Sequence, residues 1–138
     1  MSDFRQKTIL VVEDEILIRM AVADALEDAG YAVLEASTVL EAVGVLGQHE
    51  EIDLLITDVD MPGGLNGIDL ARMVAECAPH IGILVSSARR NIDLGGLPST
   101  TRFLPKPCTA ASLLSTVGTL LKGRRQTGTY PAAVLRRA

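Results

Sequence analysis

The segment Leu54-Leu55-Ile56-Thr57-Asp58-Val59-Asp60-Met61-Pro62 constrains the fold more than any other stretch of the chain. Consecutive apolar residues run through Thr57 into a carboxylate, and Pro62-Gly63-Gly64 stops the strand soon after. A short apolar run closed by turn residues reads as a strand buried on both faces, as in a parallel sheet. Asp58 then stands at that strand's carboxyl end, the edge of an open α/β sheet where ligands collect. One carboxylate there means little by itself. Its meaning depends on what the other strands bring to the same edge.

The rest of the chain repeats the pattern. Thr8–Val12, Tyr31–Ala36, Ile52–Thr57, Ile81–Val85 and Thr101–Leu104 read as strands by their apolar and β-branched content. Helical spacing over Ile16 to Ala29 puts Leu17, Met20, Ala21, Ala25 and Leu26 on one apolar face. Gly30 suits the left-handed residue that ends a helix. Ser37 or Thr38 can cap a helix from Val39 to Gly47. Ile68 to Cys77 forms the next helix, closed by Pro79. Ala88 to Thr100 contains Gly95, Gly96 and Pro98 and has room for at most one short helix. Ala110 to Leu121 is the last. Five strands alternating with about five helices predict an α/β fold. The specific expectation is a flavodoxin-like, doubly wound, five-stranded parallel sheet in the order 2-1-3-4-5, with a short or irregular fourth helix. The composition turns basic and polar near Gly123. The domain is therefore bounded at 7–122, and 123–138 reads as a basic, mobile tail in which Ala132-Ala133-Val134-Leu135 is too short to hold a helix alone.

Composition removes several classes of function. The chain has 138 residues, enough for one domain and one core, and with aromatics at 3% that core is aliphatic. A net charge of -4 argues against general nucleic-acid binding. No apolar run approaches the ~20 residues of a membrane span. The N-terminus lacks a signal-peptide core, so a cytoplasmic setting is expected. Cys77 and Cys108 have no disulfide or metal spacing and are expected to be small buried or half-buried residues. His49 and His80 are expected to be solvated near helix ends.

In a parallel sheet every strand points the same way. Glu13 and Asp14, Asp58, Ser86 and Lys106 therefore gather at one edge, at the ends of the first, third, fourth and fifth strands. Carboxylates brought close together repel one another unless a cation joins them. Hard oxygen ligands of this kind suit Mg²⁺. A lysine ammonium can pair with a carboxylate or a phosphoryl oxygen, and a strand-end hydroxyl can donate to another. The set reads as a nucleophilic carboxylate with a metal site, a cation and a hydroxyl donor, as phosphoryl transfer requires.

The chain resembles a receiver domain of two-component signalling from about Lys7 to Lys122. The matching pieces, in order, are Ile9-Leu10-Val11-Val12-Glu13-Asp14-Glu15, Leu55 to Pro62 with Asn66-Gly67, Leu84-Val85-Ser86, and Phe103-Leu104-Pro105-Lys106-Pro107. The resemblance implies that Asp58 accepts a phosphoryl group from a histidine kinase or a histidine phosphotransfer protein. It implies that Asp14, Asp58 and the Asp60 backbone carbonyl ligate Mg²⁺, with Glu13 acting through water. Ser86 takes the place of the switch hydroxyl, Phe103 that of the switch aromatic, and Lys106 contacts the phosphoryl group. The Lys106–Pro107 bond is expected to be cis. The implied protein is a stand-alone response regulator, a monomer or weak dimer with no DNA-binding domain. It would signal to a downstream protein target and catalyse no more than weak Mg²⁺-dependent phosphoryl uptake and self-dephosphorylation.

The chain departs from the family pattern at several points. Glu13 stands where Asp is commoner, and the Pro62 loop carries an extra residue. Ser87 adjoins Ser86, leaving either hydroxyl available. Phe103 has no hydroxyl and can report only by burial. Two other functions fit parts of the pattern. Asp58-Val59-Asp60 resembles the nucleophile and acid–base pair of haloacid-dehalogenase-type phosphatases, but those carry their second acidic pair after the lysine, not at Glu13-Asp14. A receiver-like interaction module that is never phosphorylated would have a damaged acidic set.

Overall fold

A computed structural model of the chain describes residues 5–128. In chain order the elements are β1 (Thr8–Val12), α1 (Ile16–Asp28), β2 (Ala32–Ala36), α2 (Val39–Gln48), β3 (Ile52–Asp58), α3 (Gly67–Cys77), β4 (Gly82–Ser87), β5 (Arg102–Pro105) and α4 (Ala110–Gly128). The strands form one sheet in the order β2-β1-β3-β4-β5, and every neighbouring pair is parallel. This is the flavodoxin-like order expected from the sequence.

Strand alternation divides the core in two. Leu10, Val12, Leu55, Ile83 and Val85 face α2 and α3. Ile9, Val11, Leu54, Ile56 and Leu84 face the opposite way, toward α1 and α4. Burial on both faces explains why these strands are apolar runs and not alternating ones. Fully burying each such side chain stabilises the fold by about 1.5–3 kcal/mol relative to leaving it exposed.

Local signals fix the helix starts. Thr38 caps α2 by accepting from the Glu41 N–H at 3.0 Å, while Glu41 accepts from Ser37 N at 2.7 Å. Asn66 and Asp69 form a reciprocal capping box on α3. Gly30, at φ 99°, takes the left-handed turn after α1.

Four expectations need correction. The described residues contain four helices, and the stretch 88–101 contains none. Gly95, Gly96 and Pro98 break any helical run, and Gly95 N–H bonds to Asp93 at 2.8 Å. Ile92, Leu94 and Leu97 pack irregularly over the core in place of a helix, and Arg72 holds the Gly95 carbonyl at 3.1 and 3.2 Å. In α1, Leu17, Met20 and Ala21 are exposed, and the buried residues are Ala23 and Leu26. The helix is apolar around most of its first two turns, so periodicity alone could not select the packed face. α4 continues beyond Leu121 to Gly128. Both cysteines are free and exposed, because each follows the end of its apolar run. Residues 129–138, including Ala132–Leu135, Arg136 and Arg137, lie outside the described residues. No helix among those described is long and apolar enough to cross a membrane.

Candidate functional site

β1 and β3 are neighbours in the sheet, and both run out at the same edge. The chain leaving β1 places Glu13 under cover at 5% exposure and Asp14 in the open. Asp58, the last residue of β3, is 8% exposed. Oxygen atoms of Glu13, Asp14 and Asp58 lie within 4.8 Å of one another. Lys106 arrives from the end of β5, its N–H tied to the Ser87 carbonyl at 3.0 Å. Its ammonium donates to Glu13 Oε1 at 2.7 Å and to Asp58 Oδ1 at 3.0 Å. The Lys106–Pro107 peptide is cis.

Two buried carboxylates share one ammonium, and the charges respond accordingly. Burial pushes Asp58 above the usual carboxylate range, against the hydrogen bond and charge of Lys106, and the Asp14 charge pushes the same way. Burial likewise raises Glu13; bonds from Lys106 and the Glu15 N–H oppose it, and the Asp58 charge adds to it. For Lys106, burial acts downward, but its bonds to Glu13 and Asp58 carry it above the ordinary lysine value. The lysine is over-supplied with partners while the acids are under-supplied. The cluster therefore holds uncompensated negative charge and favours a further cation. Its donors are hard carboxylate oxygens, which fit Mg²⁺ better than a thiophilic metal.

The sheet register turns the two serines to opposite faces. Ser86 pairs with Asp58 and shares a cleft of about 570 Å³ with Asp58 and Lys106, between α1 and the start of α4. Its hydroxyl donates to the Leu104 carbonyl at 2.9 Å. Ser87 is fully buried and accepts from the Arg89 N–H at 3.0 Å. Successive residues of a strand face opposite sides, so Ser86 is turned toward the cleft that Asp58 and Lys106 line, and Ser87 toward the face that carries Val85 and Phe103. Phe103 is half-buried on the other face, packed, as Ile92, Leu94 and Leu97 are, against the core that faces α2 and α3.

Asp60 lies on the rim. Its carboxylate is gripped by Arg89, Nε to Oδ2 at 3.1 Å and Nη2 to Oδ1 at 2.8 Å. No local pattern points to Arg89, since the pair joins loops 29 residues apart in the chain. Gly67 belongs to the Asn66-Gly67 pair that matches the family pattern, but its steric role shows only in the structure. It lies so close to the end of β3 that a Cβ there would overlap the Asp58 carbonyl oxygen and come within 2.8 Å of Thr57 Oγ1. The Asn66-Gly67 dipeptide signals a turn, but spacing alone cannot reveal what a missing side chain makes room for.

Comparison with known proteins agrees with this geometry. The family model for the response regulator receiver domain matches residues 9–118. The chain is 35% identical over 119 residues to the sensor kinase CckA of Brucella abortus (strain 2308), covering 83% of this chain and 12% of that protein. It is 35% identical over 121 residues to the phosphate regulon transcriptional regulatory protein PhoB of Pseudomonas aeruginosa, covering 84% of this chain and 52% of the regulator. The chain thus spans well under two thirds of these relatives. Among solved structures, a response regulator receiver protein from Sinorhizobium medicae WSM419 superposes with a TM-score of 0.80 at 30% identity, covering 87% of this chain and 98% of that one.

Proposed function

The chain belongs to the response regulator receiver family, and from that premise we propose that it is a phosphorylation-controlled switch with Asp58 as the acceptor. The observation that carries this reading is the convergence of Glu13, Asp14, Asp58 and Lys106 from three strand ends on one point.

The chemistry follows from the positions. An Asp58 carboxylate oxygen attacks the phosphorus of a phosphohistidine on a kinase or phosphotransfer protein. The new O–P bond forms as the N–P bond breaks, and the departing imidazole takes its proton from water. Lys106 already touches Asp58, so its ammonium needs only a small movement to meet a phosphoryl oxygen. Ser86 would exchange the Leu104 carbonyl for another phosphoryl oxygen. That exchange pulls on β4 and β5 and on Phe103, which is the output expected of a two-state switch. Asp14, Asp58 and the Asp60 backbone carbonyl would hold Mg²⁺. Both Glu13 oxygens are engaged, by Lys106 and by the Glu15 N–H, which suits action through water. Bound there, the ion neutralises charge on the transferring phosphoryl group. Loss of the group occurs by slow attack of water on phosphorus. The downstream partner is a protein, and the oligomeric state is monomer or weak dimer.

The family match and the relatives above give the phosphatase reading no support. The never-phosphorylated module requires a damaged acidic set, whereas the carboxylates gather within coordination reach of one another.

The test is phosphotransfer profiling against a panel of phosphorylated histidine kinases, with the labelled peptide mapped after borohydride trapping. The label is expected on Asp58; a label on another residue would end the assignment. Lys106→Ala is expected to retain Mg²⁺ binding and lose the switch. The amide shifts that beryllofluoride induces in β4 and β5 should shrink to a small fraction of the wild-type shifts. At neutral pH the variant should also lose about 2 kcal/mol, because Glu13 and Asp58 stay buried without their partner. Undiminished shifts would remove Lys106 from the mechanism.

A further inference from the structure

We propose that Arg89 is a positioning residue that masks the Asp60 carboxylate, so that the rim of the acidic cleft does not repel an incoming anionic phosphodonor. The inference rests on Asp58 being the phosphoryl acceptor. Arg89 holds Asp60 by two parallel bonds of 2.8 and 3.1 Å, the fork-on-carboxylate geometry that fixes direction as well as distance. The Arg89 backbone is held too, since its N–H donates to the buried Ser87 hydroxyl. Both side chains are more than half exposed, at 54% and 61%, so the pair adds little to stability. Its consequence is the placement of charge.

Asp60 follows the acceptor by two positions and lines a shallow hollow together with Asp14 and the Pro62–Asn66 loop. Among the described residues, four carboxylates, Glu13, Asp14, Asp58 and Asp60, surround the site against two cations, Lys106 and Arg89; Arg19, which reaches the Glu13 carbonyl, is already balanced by Glu35. The excess equals the charge of one divalent cation. Removing Arg89 adds one uncompensated negative charge where a phosphodonor must enter. The extra charge acts with opposite sign on the two species that enter. It attracts Mg²⁺ and repels an anion. Direct contact between Arg89 and the phosphoryl group would produce a different pattern, because removing Asp60 would then restore nothing.

The test uses the full 138-residue chain with Arg89→Ala, Asp60→Asn and the double variant. Asp60→Asn keeps the backbone carbonyl. Initial labelling by acetyl phosphate is followed at low and high salt, and Mg²⁺ affinity is measured by calorimetry without any phosphodonor. Arg89→Ala should label about three- to tenfold more slowly at low salt and bind Mg²⁺ more tightly by a similar factor. The labelling gap should close near 1 M salt, where the screening length falls to about 3 Å. The double variant should match Asp60→Asn alone in both measurements. Arg89→Gln, which keeps hydrogen-bonding capacity without charge, should behave as the alanine variant does. A double variant as slow as Arg89→Ala, a salt-independent defect, or unchanged Mg²⁺ affinity would overturn the proposal. A wild-type chain that never labels would instead retire Asp58 as acceptor, and the Mg²⁺ measurements would still decide the role of Arg89.

Discussion

Asp58→Asn is expected to abolish phosphoryl uptake from acetyl phosphate and from any kinase, while leaving the domain at least as stable as the wild type at neutral pH. The first half follows from chemistry. An amide lacks the anionic oxygen that attacks phosphorus, and no neighbour replaces it, since Glu13 is held by Lys106 and Glu15. The second half follows from burial. Desolvation raises the folded-state pKa of Asp58, with the Lys106 bond only partly offsetting it. A carboxylate raised in this way favours the folded state most at pH below its unfolded value, where it is protonated in both states. That advantage is lost as pH rises through the elevated folded value. At neutral pH the wild type therefore bears the full cost of an ionised Asp58, and asparagine removes it. Lys106 keeps Glu13 as a partner. Thermal melts from about pH 4 to pH 8 should show the variant level with or above the wild type near neutrality, with the difference shrinking toward acid. Intact-mass measurement checks the labelling. Undiminished labelling, or a variant that unfolds at neutral pH, would each contradict the role given to Asp58.

What the sequence reveals about this site depends on how local each signal is. Thr8–Val12 and Leu54–Ile56 announce themselves because a strand buried on both faces must be apolar without interruption. Asp14, Asp58 and Lys106 are then legible together, because parallel strands deliver their ends to one edge. The face of α1 is not legible. Ile16, Leu17, Ile18 and Met20 are apolar and yet exposed, and which side packs is decided by contact with β2 and α4 and not by periodicity. The stretch 88–101 is half-legible. Its glycines and Pro98 deny a regular helix, but nothing local shows that Ile92, Leu94 and Leu97 still cover the sheet. Arg89 on Asp60 is a purely tertiary pairing. It forms because the loop after β4 and the loop after β3 leave adjacent strands at the same edge.

Gly67→Ala carries the largest expected effect on stability, and the reason lies in the same edge. The loop after Asp58 must turn back at once for α3 to pack on the sheet, and Gly67 N–H closes that turn on the Val59 carbonyl at 2.9 Å. A methyl group at position 67 would run into the Asp58 carbonyl oxygen and crowd Thr57 Oγ1 at 2.8 Å. The carbonyl cannot swing aside. It accepts the Thr57 hydroxyl at 2.9 Å, and its own peptide is tied to β4 by the Val59 N–H, which donates to the Ser86 carbonyl at 3.2 Å. The strain must spread into β3 or α3, for an expected loss of about 3 kcal/mol or more. That is a large share of the roughly 5–15 kcal/mol that holds a domain together. Asp58 would move with its own carbonyl, so any folded fraction should also label slowly. Gly64→Ala is the matched control: a Cβ there meets nothing within 4 Å, and its cost should stay within about 0.5 kcal/mol. Adding Thr57→Ala to Gly67→Ala should rescue little, because it removes the hydroxyl contact and leaves the backbone clash. Urea unfolding of the three variants separates these contributions. If Gly67→Ala proved as stable as the control, the close approach of α3 to the acceptor strand would be wrong, and with it the account of what holds Asp58 in place.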